Sequence, residues 1–82
     1  MADTSQHRPL YEIAREIRAD WANVTYSAKP YLQAMGQMSS VNDHYGYDDG
    51  RGVVTYFLSN AAAWRGPVAR SIKAELKAMI KR

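Results

Sequence analysis

One segment near the start of the chain repeats its apolar side chains with the period of an α-helix. They follow i, i+3, i+4 and i+7 spacing, at Leu10, Ile13, Ala14, Ile17, Trp21 and Val24. This spacing places them on one helical face about 100° wide, which needs a core to bury it. Pro9 suits the first turn because its missing N–H is not needed there. We therefore predict an amphipathic helix over residues 9–24.

The middle of the chain predicts a second helix, a loop and a third helix. The second helix runs from about Ser27 to Ser39, with Pro30 in its first turn. Residues 39–47 are rich in Ser, Asn, Asp and Gly, which favour turns, so they form the main loop. Asp48 or Asp49 can then cap the third helix.

The third element is ambiguous, because residues 53–58 are β-branched and aromatic and therefore favour a strand. Val53, Val54, Phe57 and Leu58 also follow helical spacing, and an alanine run follows at 61–63. A lone strand would have no pairing partner elsewhere in the chain. We predict a helix.

The last helix is predicted after Gly66, with Pro67 in its first turn. Its buried face is expected to hold Val68, Ile72, Leu76, Met79 and Ile80. The predicted fold is all-α, a compact bundle of three to four short helices. Residues 1–8 are expected to be a disordered N-terminal tail, and residues 9–82 a single helical domain.

Composition narrows the class of protein. The chain has 82 residues and no Cys, which excludes disulfides and thiolate zinc sites. Its first seven residues are polar, unlike a secretory signal, and no run approaches the ~20 apolar residues that span a bilayer. We expect a cytoplasmic protein without membrane contact.

Four segments, in order, resemble a known family. They are Arg8-Pro9-Leu10-Tyr11-Glu12-Ile13-Ala14-Arg15-Glu16-Ile17, Pro30-Tyr31-Leu32-Gln33-Ala34-Met35, Tyr56-Phe57-Leu58-Ser59-Asn60 and Trp64-Arg65-Gly66. Together they look like small uncharacterised proteins encoded by actinobacteria and by the bacteriophages that infect them, over roughly residues 8–79. The resemblance implies a phage or mobile-element setting and the host bacterial cytoplasm. It implies no activity and no catalytic residue.

Positive charge is concentrated at the end of the chain. Residues 65–82 hold six Lys/Arg and one Glu, net +5, whereas residues 1–64 hold five Lys/Arg and seven Asp/Glu, net −2. Four of these cations fall within an arc of about 80° on the last helix, at Arg70, Lys73, Lys77 and Lys81. Such a stripe can bind phosphates and release counterions.

The first helix offers another explanation for the basic stripe. Glu12, Glu16 and Asp20 follow i, i+4, i+8 spacing and form an acidic stripe on that helix. If the first and last helices pack together, the two stripes can neutralise each other, at ~0–1 kcal/mol for each exposed pair. An acidic protein partner is a third interpretation of the same charges.

The loop at 42–50 is the candidate for protein contact. Asp43, His44, Tyr45 and Tyr47 gather polar groups and two rings, and tyrosine supplies contact area at low entropic cost. The alternative is that Tyr45 or Tyr47 covers the core. Its acids do not alternate and no closing Glu follows, so a calcium site is not expected. Trp21 and Trp64 are expected in the core, although an exposed Trp64 would indicate an interface.

No nucleophile motif, phosphate loop or carboxylate pair indicates an enzyme, and we expect no catalytic residue, cofactor or metal. The function predicted first is a small accessory protein of a phage or mobile element. It would act by protein–protein interaction, with a host factor as one candidate partner of unknown identity, and self-association is also compatible with it. The alternative is a nucleic-acid-binding protein that uses the basic last helix.

Overall fold

The computed structural model describes residues 8–46 and 48–81, and within them the chain forms four α-helices. In chain order, α1 is Leu10–Asp20, α2 is Lys29–Met35, α3 is Gly50–Ser59 and α4 is Pro67–Ile80. A single 3-10 turn at Tyr26–Ala28 leads into α2. The predicted all-α bundle of short helices is confirmed. No helix of the described residues is long and apolar enough to cross a membrane.

The helix α1 ends at Asp20, four residues earlier than predicted. The Trp21 amide still donates to the Ile17 carbonyl at 2.7 Å, but the Trp21 backbone then leaves helical geometry. This exit lets the Trp21 ring stack on Trp64, with centroids 5.7 Å apart and planes 8° from parallel. The core contact therefore ends the helix where periodicity alone would continue it.

Local capping explains the limits of α3. The Asp49 carboxylate accepts from the Gly52 amide at 2.7 Å, which confirms the predicted cap and the choice of helix over strand for residues 53–58. At the other end of the helix the Asn60 side chain donates to the Tyr56 carbonyl at 2.8 Å. The helix therefore stops before the alanine run at 61–63.

The predicted loop contains a two-residue antiparallel ladder, β1 at His44–Tyr45 and β2 at Asp48–Asp49. Gly50 follows it and lies very close to the backbone of the preceding turn. A Cβ at this position would be 2.7 Å from the Ser40 carbonyl oxygen and 2.7 Å from Val41 Cα. The Gly50 amide also donates to the Asp43 carbonyl at 2.7 Å. Glycine is therefore needed to let α3 start against the turn.

One core joins the four helices. Its largest fully buried side chains are Phe57, Leu10, Ile13, Ile17, Met35, Met38, Leu76, Val53 and Val54. The predicted apolar face of α4 needs one correction, because Val68 is 40 % exposed and Ala69 is buried instead. Position 68 lies on the outer side of the first turn, where the small Ala69 allows close helix packing. Trp21 and Trp64 are buried, 7 % and 2 % exposed, as expected.

Two arginines form hydrogen bonds that join different parts of the bundle. Arg51, at the start of α3, donates to the Ile80 carbonyl at 2.9 Å and so covers an unsatisfied group at the end of α4. Arg8 donates to both carboxylate oxygens of Glu75 on α4, at 3.0 and 2.8 Å, and also pairs with Glu16 on α1. The predicted disordered tail thus ends in a bound residue, while residues 1–7 lie outside the described part of the chain.

Candidate nucleic-acid interface

Two of the three acids of α1, Glu16 and Asp20, are engaged by groups other than the α4 cations. Glu16 pairs with Arg8, and Asp20 accepts a hydrogen bond from the Trp64 indole nitrogen at 2.8 Å. Within residues 8–46 and 48–81, the two ion pairs are those of Arg8, with Glu16 and with Glu75. Within the described residues no ion pair joins the acidic stripe of α1 to the basic stripe of the last helix, so the structure does not favour this interpretation of the charges. Arg8 pairs with an acid on each of the two helices, Glu16 on α1 and Glu75 on α4, because its guanidinium can reach both at once.

The predicted basic stripe is exposed except at Lys73, but α4 ends at Ile80 and Lys81 follows it in an extended conformation, so only three of the four cations lie on the helix. Arg70, Lys77 and Lys81 are exposed, and Lys73 is half-buried. The helix rises 1.5 Å per residue, so Arg70 and Lys77 are about 10 Å apart along its axis. The only acid of α4, Glu75, is turned towards Arg8 instead. Along this edge the helix therefore presents positive charge without a carboxylate beside it in the described structure.

Lys73 is held in place by the segment before α4. Its Nζ donates to the Trp64 carbonyl at 2.7 Å and lies 5.9 Å from the centroid of the Trp64 ring. Partial burial lowers the pKa of Lys73, and the charges of Lys77 and Arg65 lower it further. The charged neighbours that lower the pKa of Lys73 are thus other cations. An approaching anion would reduce the repulsion among these positive charges.

A shallow hollow of about 290 Å³ lies where α4 begins. It is lined by Trp64, Arg65, Gly66, Ala69, Arg70 and Lys73. Gly66 has φ 111°, a conformation that favours glycine, and it turns the chain sharply into α4. This turn brings Arg65 next to Lys73, although the sequence pattern of α4 did not include Arg65. The sequence feature that could have indicated Arg65 is its position between Trp64 and the Gly66-Pro67 turn.

A second hollow, of about 370 Å³, lies at the end of α1. It is lined by Arg18, Trp21, Ala22, Val24, Lys29, Leu32 and Gln33. Trp21 lines this hollow, Trp64 lines the other, and the two rings stack, so the hollows are connected through one tryptophan pair. The lining residues include five cations and no carboxylate. Sequence reasoning missed Arg18 and Lys29, because they lie on separate elements that only packing brings together.

Of the four loop residues predicted for protein contact, the structure describes the side chains of Asp43 and His44. The Asp43 carboxylate accepts from the Ser39 amide at 2.7 Å and the Ser40 amide at 3.3 Å, so it stabilises its own turn. His44 is exposed on β1. The side chains of Tyr45 and Tyr47 lie outside the described part of the structure, and their predicted contact with a partner stays a prediction.

A stacked aromatic pair on α2 and α3 has one exposed member. Tyr56 of α3, 56 % exposed, stacks on Tyr31 of α2 with ring centroids 5.5 Å apart. Thr55 and Tyr56 also border a shallow depression beside Arg51. The packing of α2 against α3 brings these two rings together, and neither residue was among those predicted for the loop site.

Comparison with known proteins gives no assignment: no family model, curated protein or solved structure matches this chain.

Proposed function

We propose that this chain is a small non-enzymatic protein that binds nucleic acid through the basic edge of α4. One observation carries the proposal: Arg70, Lys77 and Lys81 are exposed, while Glu16 and Glu75 are engaged by Arg8 and Asp20 by Trp64. A polyanion can therefore approach the edge without displacing an internal ion pair. The proposal keeps the cytoplasmic, phage or mobile-element setting that the resemblance implies.

Several cations on one helix suit a phosphate backbone. Arg70, Lys77 and Lys81 are exposed, so each can reach a phosphate by side-chain rotation alone. Arg65 and Lys73 add charge at the start of the helix. Each phosphate that a cation neutralises releases condensed counterions, so binding should weaken as salt rises, with a log–log slope of about −0.9 per contact on duplex DNA.

The test compares three proteins by fluorescence anisotropy with a labelled generic DNA duplex over a range of salt concentrations. The wild type should bind with a steep salt dependence. Lys77→Glu should weaken binding and make the slope shallower by about 1, because one phosphate contact is lost. Arg15→Glu is the matched control, since it makes the same change in net charge at an exposed position of α1 outside both hollows.

Two results would contradict the proposal. One is no binding of duplex or single strand at low salt. The other is equal weakening by Lys77→Glu and Arg15→Glu, which would indicate a response to net charge alone. Binding of polyglutamate in place of DNA would instead favour an acidic protein partner on the same edge.

A second candidate is the protein-interaction function predicted first from the sequence. Tyr56, the exposed member of the Tyr31–Tyr56 stack, favours it, because aromatic residues are enriched where proteins bind one another. If this function is correct, a pull-down from host lysate should recover one protein, and Tyr56→Ala should lose it while the circular dichroism spectrum stays unchanged. Recovery of the same protein by Tyr56→Ala would remove this face from consideration.

A further inference from the structure

The hollow at the end of α1 differs in character from the edge of α4. Its cations, Arg18 and Lys29, surround apolar side chains, of which Val24 is half-buried and Trp21 and Leu32 are 7 % and 2 % exposed. Phosphate binding alone needs cations but no apolar wall. The combination suits a ligand that carries a negative charge and a flat or apolar body together.

The two cations of this hollow are well placed and have no ion-pair partner among the described residues. Arg18 Nη1 lies 3.7 Å from the point that a Cβ on Gly36 would occupy, so the guanidinium rests against the end of α2. Lys29 and Gln33 are four residues apart on α2 and therefore share one face of it. Gln33 adds an amide with both a donor and an acceptor to this rim.

We propose that this hollow is a subsite for one unpaired nucleotide, with its phosphate on Arg18 and Lys29 and its base against the apolar wall. The inference rests on the proposed function and names its ligand class: single-stranded rather than duplex nucleic acid. A duplex keeps its bases stacked and paired inside, so it cannot place one in a recess. The volume of about 370 Å³ lies within the range of small-ligand sites.

The hollow continues the basic edge, so that one strand can contact both. Trp21 lines one hollow and Trp64 the other, and the centroids of these two stacked rings are 5.7 Å apart. Lys73, Arg65 and Arg70 lie on the Trp64 side, and Arg18 and Lys29 lie on the Trp21 side. A single strand that follows the edge of α4 would reach the nucleotide subsite beyond the stack.

The experiment measures anisotropy with a labelled 12-nucleotide oligo(dT) and with a labelled 12-base-pair duplex at one fixed salt concentration. The wild type should bind the single strand about tenfold more tightly, which is within the range measured for one base stacked on a protein. Arg18→Gln with Lys29→Gln should abolish this preference and leave duplex affinity within about twofold. Arg15→Glu changes net charge by the same amount and should keep the preference.

A second variant tests whether the ligand must enter the hollow, independently of the positive charge around it. Ala22 is exposed and lines the hollow, so Ala22→Leu should fill the recess without removing a cation. It should also abolish the preference for the single strand. Circular dichroism should show unchanged helix content for each variant.

The outcomes distinguish the two proposals. Duplex binding that Lys77→Glu weakens, with equal affinity for the single strand, overturns the nucleotide subsite and leaves the proposed function standing. A preference that survives both Arg18→Gln/Lys29→Gln and Ala22→Leu also overturns the subsite. No binding of either probe, or binding of polyglutamate only, overturns both proposals.

Discussion

The indole nitrogen of Trp64 donates a hydrogen bond to the Asp20 carboxylate at 2.8 Å, which joins the end of α1 to the segment before α4. The next residue of the chain, Trp21, stacks on the same Trp64 ring. Lys73 then covers Trp64 from α4. Trp64 is therefore the centre of the α1–α4 contact, and the acid that faces it is withdrawn from the basic edge.

We expect Asp20→Ala to lower the free energy of unfolding by about 1–2 kcal/mol, because it leaves the indole N–H of a buried tryptophan without an acceptor. Urea denaturation followed by circular dichroism measures the change. Asp20→Asn is the control, since its amide oxygen can still accept, and it should cost less. Equal losses in the two variants would show that the hydrogen bond contributes nothing of its own.

Arg8→Gln should lower the free energy of unfolding by about 1 kcal/mol, because Arg8 bridges Glu16 and Glu75 with a two-pronged contact to the latter. Arg15→Gln, an exposed arginine on α1, is the matched control and should be nearly neutral. The difference between the variants should shrink in 1 M salt, where charges are screened within about 3 Å. A difference that is the same at both salt concentrations would argue against an ionic contribution.

The pH dependence of the Arg8 contact follows from the direction in which the pKa of Arg8 is shifted. Hydrogen bonds to Glu75 and Glu16 raise the pKa of Arg8 above its ordinary value. A raised pKa in the folded state means that the stabilisation is fully present below the ordinary arginine pKa and is lost only in strong alkali. The contribution of Arg8 ionisation should therefore be constant across neutral pH.

Lys73 should titrate below the ordinary lysine pKa, because burial and two neighbouring cations lower its pKa. The folded pKa lies below the unfolded one, so the unfolded chain binds more protons and stability should rise with pH through this window. NMR titration of the Lys73 side chain in the folded and the urea-unfolded protein measures the shift. Lys77→Gln should raise the pKa of Lys73, and no change in that variant would contradict the influence of Lys77.

Gly50→Ala should destabilise the fold by about 1–3 kcal/mol, because its Cβ would lie 2.7 Å from the Ser40 carbonyl oxygen and force the backbone apart. Gly46→Asn provides a contrast. Gly46 has φ 67° with no atom near the added Cβ, and asparagine tolerates this conformation. Its loss should be much smaller, and equal losses in urea denaturation would contradict the close approach at Gly50.

Much of the secondary structure was predictable because it depends on neighbours three or four residues apart. Ile13 and Ile17 on α1, and Ile72 and Leu76 on α4, are spaced as a helix requires and are buried. The cap at Asp49 and the first-turn position of Pro67 are equally local. Val68 was wrongly predicted to be buried, because periodicity indicates which side of a helix is apolar but not how wide the buried face is.

The candidate site was predictable only in part. The cations Arg70, Lys73, Lys77 and Lys81 were identified because they share one helical stripe. Their outward orientation depended on which groups engage Glu16 and Asp20, and those groups are Arg8 and Trp64. Trp64 lies 44 residues from Asp20, a separation that no local pattern encodes.

By itself, the sequence determined that this protein is an all-α bundle with a basic last helix, because side-chain spacing and capping act within one or two turns. Tertiary structure alone decided that Arg8 reaches Glu75 across 67 residues and that Arg18 and Lys29 frame one hollow. The physical reason is that charges pair according to the distances set by helix packing. The positive charge visible in the sequence therefore became an outward-facing edge only once the core had placed α1 beside α4.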